Sequence, residues 1–514
     1  MTGKKTMTNL REEILDLSRQ ARLAPLSPWF MAELDRQIER GLYLDGEALE
    51  QVTDKLTADL AAYRDQTGAS TAVLGMSGGV DSALTAALLK RAGWRVVGHT
   101  LPIDQNPEET ERGVEACSAL DIEHRHLDLT DQYRAMVTAL GGLDERMTSG
   151  DDEGVRIRRG NIRARLRMVT LYDQAHRYGG LVVSTDNLSE LAAGFWTLHG
   201  DVGDLAPVQS LLKSWEVPWM ARAVGVPERT WRAMPTDGLG ITGGGDEAQI
   251  GSSYLEWDLM VFAILQAVFE NPGAGPEELP DLLGFKGDDH AAGVLQTALK
   301  RLGRTWFKRL SPVRLDHPKG DRFGPLDALD VRLFRPAVLR QNEQPVGFPA
   351  DLHHMAQRLV TALQRRGDKL VTAESCTAGL IGASLAACSG ASDVFAGGYA
   401  TYRMDMKTAA LGVPAELLKE KTPYHPEVAI SMATGALERT GPATIAIAVT
   451  GVAGPGPDCG KPQGLVYIAV ARRGQEPIVE EHRFTGPPQE VLSKTIRTSL
   501  TMAFRQFCEA DGTS

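Results

Sequence analysis

The chain has 514 residues, 43% of them hydrophobic, enough for two or three domains that each bury a core. Its formal net charge of −11 argues against a surface that coats nucleic acid, so no nucleic-acid partner is expected. No apolar run is long enough to span a bilayer and the polar start, residues 1–11, lacks a signal-peptide core, which predicts a soluble protein without a membrane partner.

Residues 9–64 carry periodic leucines and are expected to form a helical extension, with residues 1–47 lying outside the first domain proper. From residue 71 to 186 apolar runs at 71–76, 95–101, 122–129 and 181–184 alternate with amphipathic stretches. That alternation predicts an α/β fold, a Rossmann-like parallel sheet with helices on both faces and ligands at the carboxyl ends of the strands. Residues 238–245 are glycine-dense and polar, as expected of a mobile lid, and 311–349 are rich in Pro, Asp and Arg, as expected of a connection between domains. A second, smaller α/β pattern runs from 352 to 508, with strands expected at 369–373, 443–449 and 464–471. The domain boundaries are therefore placed at 48–312 and 351–510, with 313–350 as linker. The five cysteines (Cys117, Cys376, Cys388, Cys459 and Cys508) are widely spaced and include no C-x-x-C pair, which suggests reduced thiols in a cytoplasm and no zinc site.

The hexapeptide Ser77-Gly78-Gly79-Val80-Asp81-Ser82 joins the first apolar run to a helical one. Two glycines let the backbone approach an anion, and the helix that follows offers unpaired N–H groups and the positive end of its dipole. Ser77 and Ser82 add hydroxyl donors, and Asp81, which has no attraction for phosphate, suits Mg2+. A helix terminus contributes only about 0.3–1 kcal/mol per charge, so further cations must come from elsewhere in the chain. The Gly-Lys-Ser/Thr ending of a Walker A loop is absent; the pattern is that of an enzyme that splits ATP into AMP and pyrophosphate.

With this turn, several motifs follow in order: Asn161-x-x-x-Arg165-x-Arg167-Met168, Thr185-Asp186 with Glu190, Gly194-Phe195, Gly200-Asp201, Lys213, Pro235-Thr236, Asp246-Glu247 with Gly251, and Lys308-Arg309. Together they resemble ammonia-dependent NAD synthetase over roughly residues 48–312. The resemblance implies that ATP adenylates a nicotinate carboxylate and that ammonia then displaces AMP. It assigns Asp81 and Glu190 to Mg2+, and the turn, Lys213 and Thr236 to ATP. Asn161, Arg165, Asp201, Asp204 and Lys308 would bind the acceptor nucleotide. Thr100 stands where the family has an arginine near ATP, Leu198-His199 replaces Lys-Tyr, Val202 replaces a glycine, Gly238 follows Thr236-Asp237 where Ala-Asp is usual, and Phe307 replaces a histidine. These departures leave nicotinic acid adenine dinucleotide and nicotinic acid mononucleotide both open as acceptor. No nitrilase-type glutaminase segment is evident in front of the synthetase, so ammonia must come from solution or another source.

Residues 352–508 resemble the CinA C-terminal family, whose members are nicotinamide-mononucleotide deamidases. The matches are Thr372-Ala373-Glu374-Ser375-Cys376-Thr377-Ala378-Gly379, Gly390-Ala391-Ser392, Tyr399-x-x-Tyr402-x-x-x-x-Lys407 and Thr450-Gly451-Val452-Ala453-Gly454-Pro455. The resemblance implies Ser392 as nucleophile, Lys407 as general base and Tyr402 as an assisting hydroxyl, with Glu374, Ser375, Thr377, Gly451 and Gly454 binding nucleotide. A lysine base needs its pKa lowered from about 10.4 to about 7–8, so Lys407 should be buried or beside a cation, for which Arg403 is a candidate. Gly486-Pro487-Pro488 replaces the family's Gly-Asp-Arg, leaving Lys494 and Arg497 as substitutes. The combined expectation is a bifunctional, homo-oligomeric enzyme of pyridine-nucleotide metabolism. The rivals are a synthetase acting on the mononucleotide, a synthetase with a non-catalytic C-terminal module, and a different ATP-pyrophosphatase amidation or tRNA-modifying activity, which the downstream synthetase motifs and the absence of an RNA-binding segment disfavour.

Overall fold

The computed structural model describes residues 2–18, 25–235, 245–271, 274–310, 338 and 348–509. The expected lid lies outside these residues except for Gly245, and so does the expected connection except for Val338, Phe348 and Pro349. The chain divides into two compact units, Met1–Ile264 with Pro280–Gln341 and Leu265–Leu279 with Asn342–Ser514. No described helix is long and apolar enough to cross a membrane.

In the first unit the sheet is parallel, with strand order β3-β2-β1-β4: β1 is Thr71–Gly75, β2 Arg95–Thr100, β3 Glu123–His126 and β4 Leu181–Val182. The central strand β1 is nearly all β-branched or aliphatic and buried, flanked in register by Val97 and Val182 opposite Val73. β3 and β4 are shorter than their apolar runs suggested. β3 is an edge strand of polar residues, and beyond Val182 the chain keeps only the isolated bridge from Val183 to Leu205. Between β1 and β4 the chain leaves the sheet in successive turns, the crevice where parallel sheets take ligands. The N-terminal helices belong to this unit: Trp29 Nε1 donates to the carbonyl of Leu283 at 3.2 Å and Gln37 Nε2 to that of Leu259 at 3.1 Å.

The second unit is built on a mixed sheet, β6-β5-β7-β8-β9, with β5 Leu370–Glu374, β6 Phe395–Ala400, β7 Ile445–Gly451, β8 Leu465–Arg472 and β9 Ile478–Arg483. β5 is parallel to both β6 and β7, whereas β7, β8 and β9 run antiparallel. Helices Ala350–Arg366 and Pro488–Phe504 cover one face and helix Pro426–Arg439 the other. β6 and β9 were not expected as strands: β6 contains Gly397-Gly398 and β9 is half-exposed and charged, so neither has the apolar run that marks a central strand.

Candidate active sites

The turn after β1 is held by its own hydroxyls. Ser77 Oγ accepts from Gly79 N at 3.3 Å and lies 3.3 Å from Ser82 Oγ, which donates to the carbonyl of Gly79 at 3.0 Å. Gly78 has φ +84°, and a Cβ there would overlap the carbonyl oxygen of Glu109, so the position admits only glycine. In the first turn of the helix Val80–Arg91, Asp81 faces Lys213: the two form an ion pair, and Lys213 Nζ lies 3.5 Å from Glu190 Oε1. Asn187 Nδ2 donates to Asp81 Oδ1 at 3.0 Å, and Asn187 and Glu190 together close a capping box on the helix Leu188–Ala193. Glu190 is thus placed by a cap, not by chance of exposure.

Ser77, Gly79, Asp81, Glu190 and Lys213 line a cavity of about 660 Å3 inside the first unit, whereas Gly78 and the buried Ser82, both expected at ATP, are not among its lining residues. Asn161, Asp201, Trp196 and Lys308 line the same cavity. Asn161 Oδ1 accepts from Thr197 Oγ1 at 2.8 Å, and Asp201 accepts from Thr197 N at 2.9 and 3.0 Å. Burial pushes the Asp201 carboxyl up to about 6 against the pull of Thr197 N–H, Lys308 and Arg165. Asp186 is raised more strongly, by burial first and then by Asp201, Glu190 and Asp81. Lys308 donates to the carbonyls of Gly194, at 2.7 Å, and Trp196, and burial lowers its pKa.

Two expected acceptor residues are engaged elsewhere. Asp204 accepts from Val182 N and Tyr172 Oη, both at 2.9 Å, tying β4 to the following loop, and it is not among the cavity's lining residues. Arg165 donates to the carbonyl of Leu198 at 3.3 Å from an exposed position and is likewise absent from the lining. Thr236 lies outside the described residues. Arg112 and Arg167 line the cavity without having been singled out as binding residues from sequence.

In the second unit Lys407 is 1% exposed, and its Nζ donates to Ser375 Oγ at 2.8 Å and to the carbonyls of Thr401 at 2.7 Å and Tyr402 at 3.3 Å. Burial lowers its pKa to about 8. Arg403 is not the cause: it is exposed and paired with Asp405 at 3.0 Å. The expected pairing of Lys407 with Ser392 is not what the structure contains. Ser392 is exposed on the short helix Ala391–Val394 and is not a partner of Lys407. The sheet explains this, since Glu374 is in register with Ala400 and Val449, so the residues just past the carboxyl ends of β5 and β6 become neighbours. Tyr402 keeps its side chain 70% exposed and meets Lys407 through its carbonyl.

Glu374 also departs from its expected role. Fully buried, its carboxylate accepts from Thr377 Oγ1 at 2.8 Å and from the N–H groups of Gly379, Ile381 and Gly382 at 3.0, 3.0 and 2.8 Å, which fixes the turn that presents Ser375. Thr377 is buried with it. Gly451 ends β7 where a Cβ would come within 2.6 Å of the carbonyl oxygen of Leu465, and Gly454 sits at φ +104° against Gln463. Desolvation pushes the pKa of the partly exposed Cys376 thiol up to about 12, which favours its protonated form. Lys494 is paired with Glu490 at 2.7 Å and donates to the carbonyl of Thr485 at 3.1 Å.

Residues 52–279 match the family model described as NAD synthase and residues 352–507 the one described as CinA C-terminal domain. An NH3-dependent NAD(+) synthetase of Methanopyrus kandleri is 32% identical over 274 residues, covering 52% of this chain and 92% of that protein. The chain belongs to the NH3-dependent NAD synthetase family and carries a CinA C-terminal domain. The corresponding synthetase of Carboxydothermus hydrogenoformans is 36% identical over 211 residues, 41% of this chain and 84% of that one. Among solved structures, the competence/damage-inducible protein CihA of Agrobacterium tumefaciens is 39% identical over 31% of this chain and 96% of its own, with a TM-score of 0.30. An NMN synthetase of Francisella tularensis is 26% identical over 52% of this chain and 98% of its own, with a TM-score of 0.42. The NAD synthetase family consists of ligases that use ATP as substrate.

Proposed function

We propose that the first unit amidates nicotinic acid adenine dinucleotide with ammonia, and that the second hydrolyses nicotinamide mononucleotide to nicotinic acid mononucleotide and ammonia. The observation that carries the synthetase half is the convergence of Ser77, Gly79, Asp81, Glu190 and Lys213 on one cavity. A nicotinate carboxylate oxygen attacks the α-phosphate of ATP and pyrophosphate leaves; ammonia then attacks the acyl carbon of the adenylate and AMP leaves. The backbone N–H groups and hydroxyls of the turn hold the pyrophosphate, and Lys213 offsets its charge.

Asp81 and Glu190 fit Mg2+. Both reach the same Lys213 ammonium, so they face a point where a cation belongs. Among the described residues there is no cage of three or more His, Cys, Asp or Glu side chains, and Mg2+ is commonly held by one or two carboxylates plus phosphate oxygens and water. When bound, it supplies neutralisation of the leaving pyrophosphate. Asp201, half-buried in the cavity lining and within electrostatic reach of Lys308, suits the cationic pyridinium ring of the acceptor.

The amidase half rests on the 2.8 Å contact between Lys407 Nζ and Ser375 Oγ. A neutral Lys407 takes the hydroxyl proton of Ser375 as Oγ attacks the carboxamide carbon, then delivers it to the departing nitrogen, which leaves as ammonia. Water opens the acyl-enzyme by the reverse relay. Joining the two activities in one chain raises the ammonia concentration available to the synthetase, useful because ammonia is mostly protonated at neutral pH. The dinucleotide is the favoured acceptor, since a synthetase acting on the mononucleotide would undo the amidase reaction and only consume ATP.

The test is to incubate the full-length protein with ATP, Mg2+, nicotinic acid adenine dinucleotide and nicotinamide mononucleotide, without added ammonia, and to follow NAD. NAD formation that is lost in Ser375→Ala and restored by ammonium supports both halves. No NAD even with ammonium would sink the synthetase half, and full ammonia release by Ser375→Ala would sink the amidase half.

A further inference from the structure

We infer that Arg112 binds the pyrophosphate-forming end of ATP, a cation supplied to the turn by the neighbouring helix Pro107–Ala119. This rests on the reading of the first-unit cavity as the ATP site. That helix packs directly on the turn. The carbonyl of Glu109 fills the space where Gly78 would carry a Cβ, and a Cβ on Gly113 would lie 2.6 Å from the carbonyl oxygen of Met76. Arg112 stands between these two contacts, so its backbone is fixed against the loop it serves. Its Nε donates to the carbonyl of Gly78 at 3.0 Å, and the residue lines the cavity. Neither terminal guanidinium nitrogen has a protein partner among the described residues, leaving donors in the planar fork that suits phosphate oxygens.

The charges nearest the turn leave a place for such a cation, although Lys300, Arg301, Arg304 and Lys308 line the same cavity on other elements. The hexapeptide contains no Lys or Arg. Lys213 already faces the carboxylates of Asp81 and Glu190, and Arg167 donates to the carbonyl of Leu101 and to Gln105 Oε1, both at 3.1 Å. Thr100, at the end of β2, is neutral and engaged with His124 Nε2 at 3.0 Å and His126 Nδ1 at 2.8 Å. Arg112 is the cation fixed to the turn itself. By holding the Gly78 carbonyl it also draws an acceptor oxygen away from the anion.

The experiment measures binding of ATP, pyrophosphate and AMP to the full-length protein by calorimetry in the presence of Mg2+, for wild type, Arg112→Gln and Arg112→Lys. Arg112→Gln is expected to weaken ATP and pyrophosphate by about tenfold to a hundredfold, the loss of charge-assisted hydrogen bonds, with AMP unchanged and Arg112→Lys in between. ATP affinity within twofold of wild type in Arg112→Gln would overturn the proposal. So would an equal loss for AMP, which would mean that Arg112 only shapes the turn. If Arg112→Gln does not fold, Arg112→Lys decides by the same comparison of ATP with AMP. A wild-type protein that makes no NAD with added ammonium fails at the synthetase reading, a separate outcome from a normal wild type with an indifferent Arg112.

Discussion

Lys407 and Ser375, 32 positions apart in the chain, meet at 2.8 Å because one follows β6 and the other follows β5, adjacent parallel strands of one sheet. Removal of the hydroxyl should therefore stop the amide hydrolysis. Ser375→Ala is expected to lower kcat for ammonia release at least about a thousandfold, as loss of an activated nucleophile does. Ser392→Ala should retain activity within about tenfold, in keeping with its exposed place away from the lysine's partners. A reversed order of effects would return the nucleophile to Ser392.

The pH profile follows from the burial of Lys407. The neutral amine is the competent base, so kcat/KM for amide hydrolysis should rise with pH and reach half its plateau near the lysine's lowered value of about 8. A profile flat from pH 6 to 9 would contradict the assignment. Arg403→Ala should leave this midpoint unchanged, because Arg403 is exposed and paired with Asp405.

Gly78→Ala combines a left-handed φ with an overlap on the Glu109 carbonyl, and neither can relax without moving the helix Pro107–Ala119. NAD formation with added ammonium should fall at least about a hundredfold, since misplacement by about 1 Å costs that much. Ammonia release by the second unit, read in the same preparation, should persist. Wild-type synthetase kinetics in this variant would disprove the steric account.

Glu374→Ala would strand a buried hydroxyl and three N–H groups. The second unit should lose on the order of 3 kcal/mol of stability or more, read as an earlier unfolding transition in calorimetry. Loss of nucleotide binding with an unchanged transition would instead restore Glu374 to the substrate.

Local patterns made much of this legible. The buried run of β1, the two glycines after it and the helix that follows are contiguous, so the strand-turn-helix unit and the parallel sheet could be read directly. The burial of Lys407 was legible because a lysine proposed as a base needs it. Strands β6 and β9 were not legible, because a glycine pair and an exposed charged edge carry no apolar period of their own and owe their conformation to the strand beside them.

The sequence alone determined the two α/β units, the glycine turn between β1 and its helix, and the pairing of an ATP-using ligase family with a CinA C-terminal domain, since each is written in short contiguous motifs. Tertiary structure decided which side chains share a site. Strand order brought Ser375 rather than Ser392 to Lys407, turned Glu374 and Asp204 to backbone N–H groups, and set Arg112 against Gly78. Such contacts depend on register between distant strands and on which donors are left buried without water, and neither is encoded in the spacing of residues along the chain.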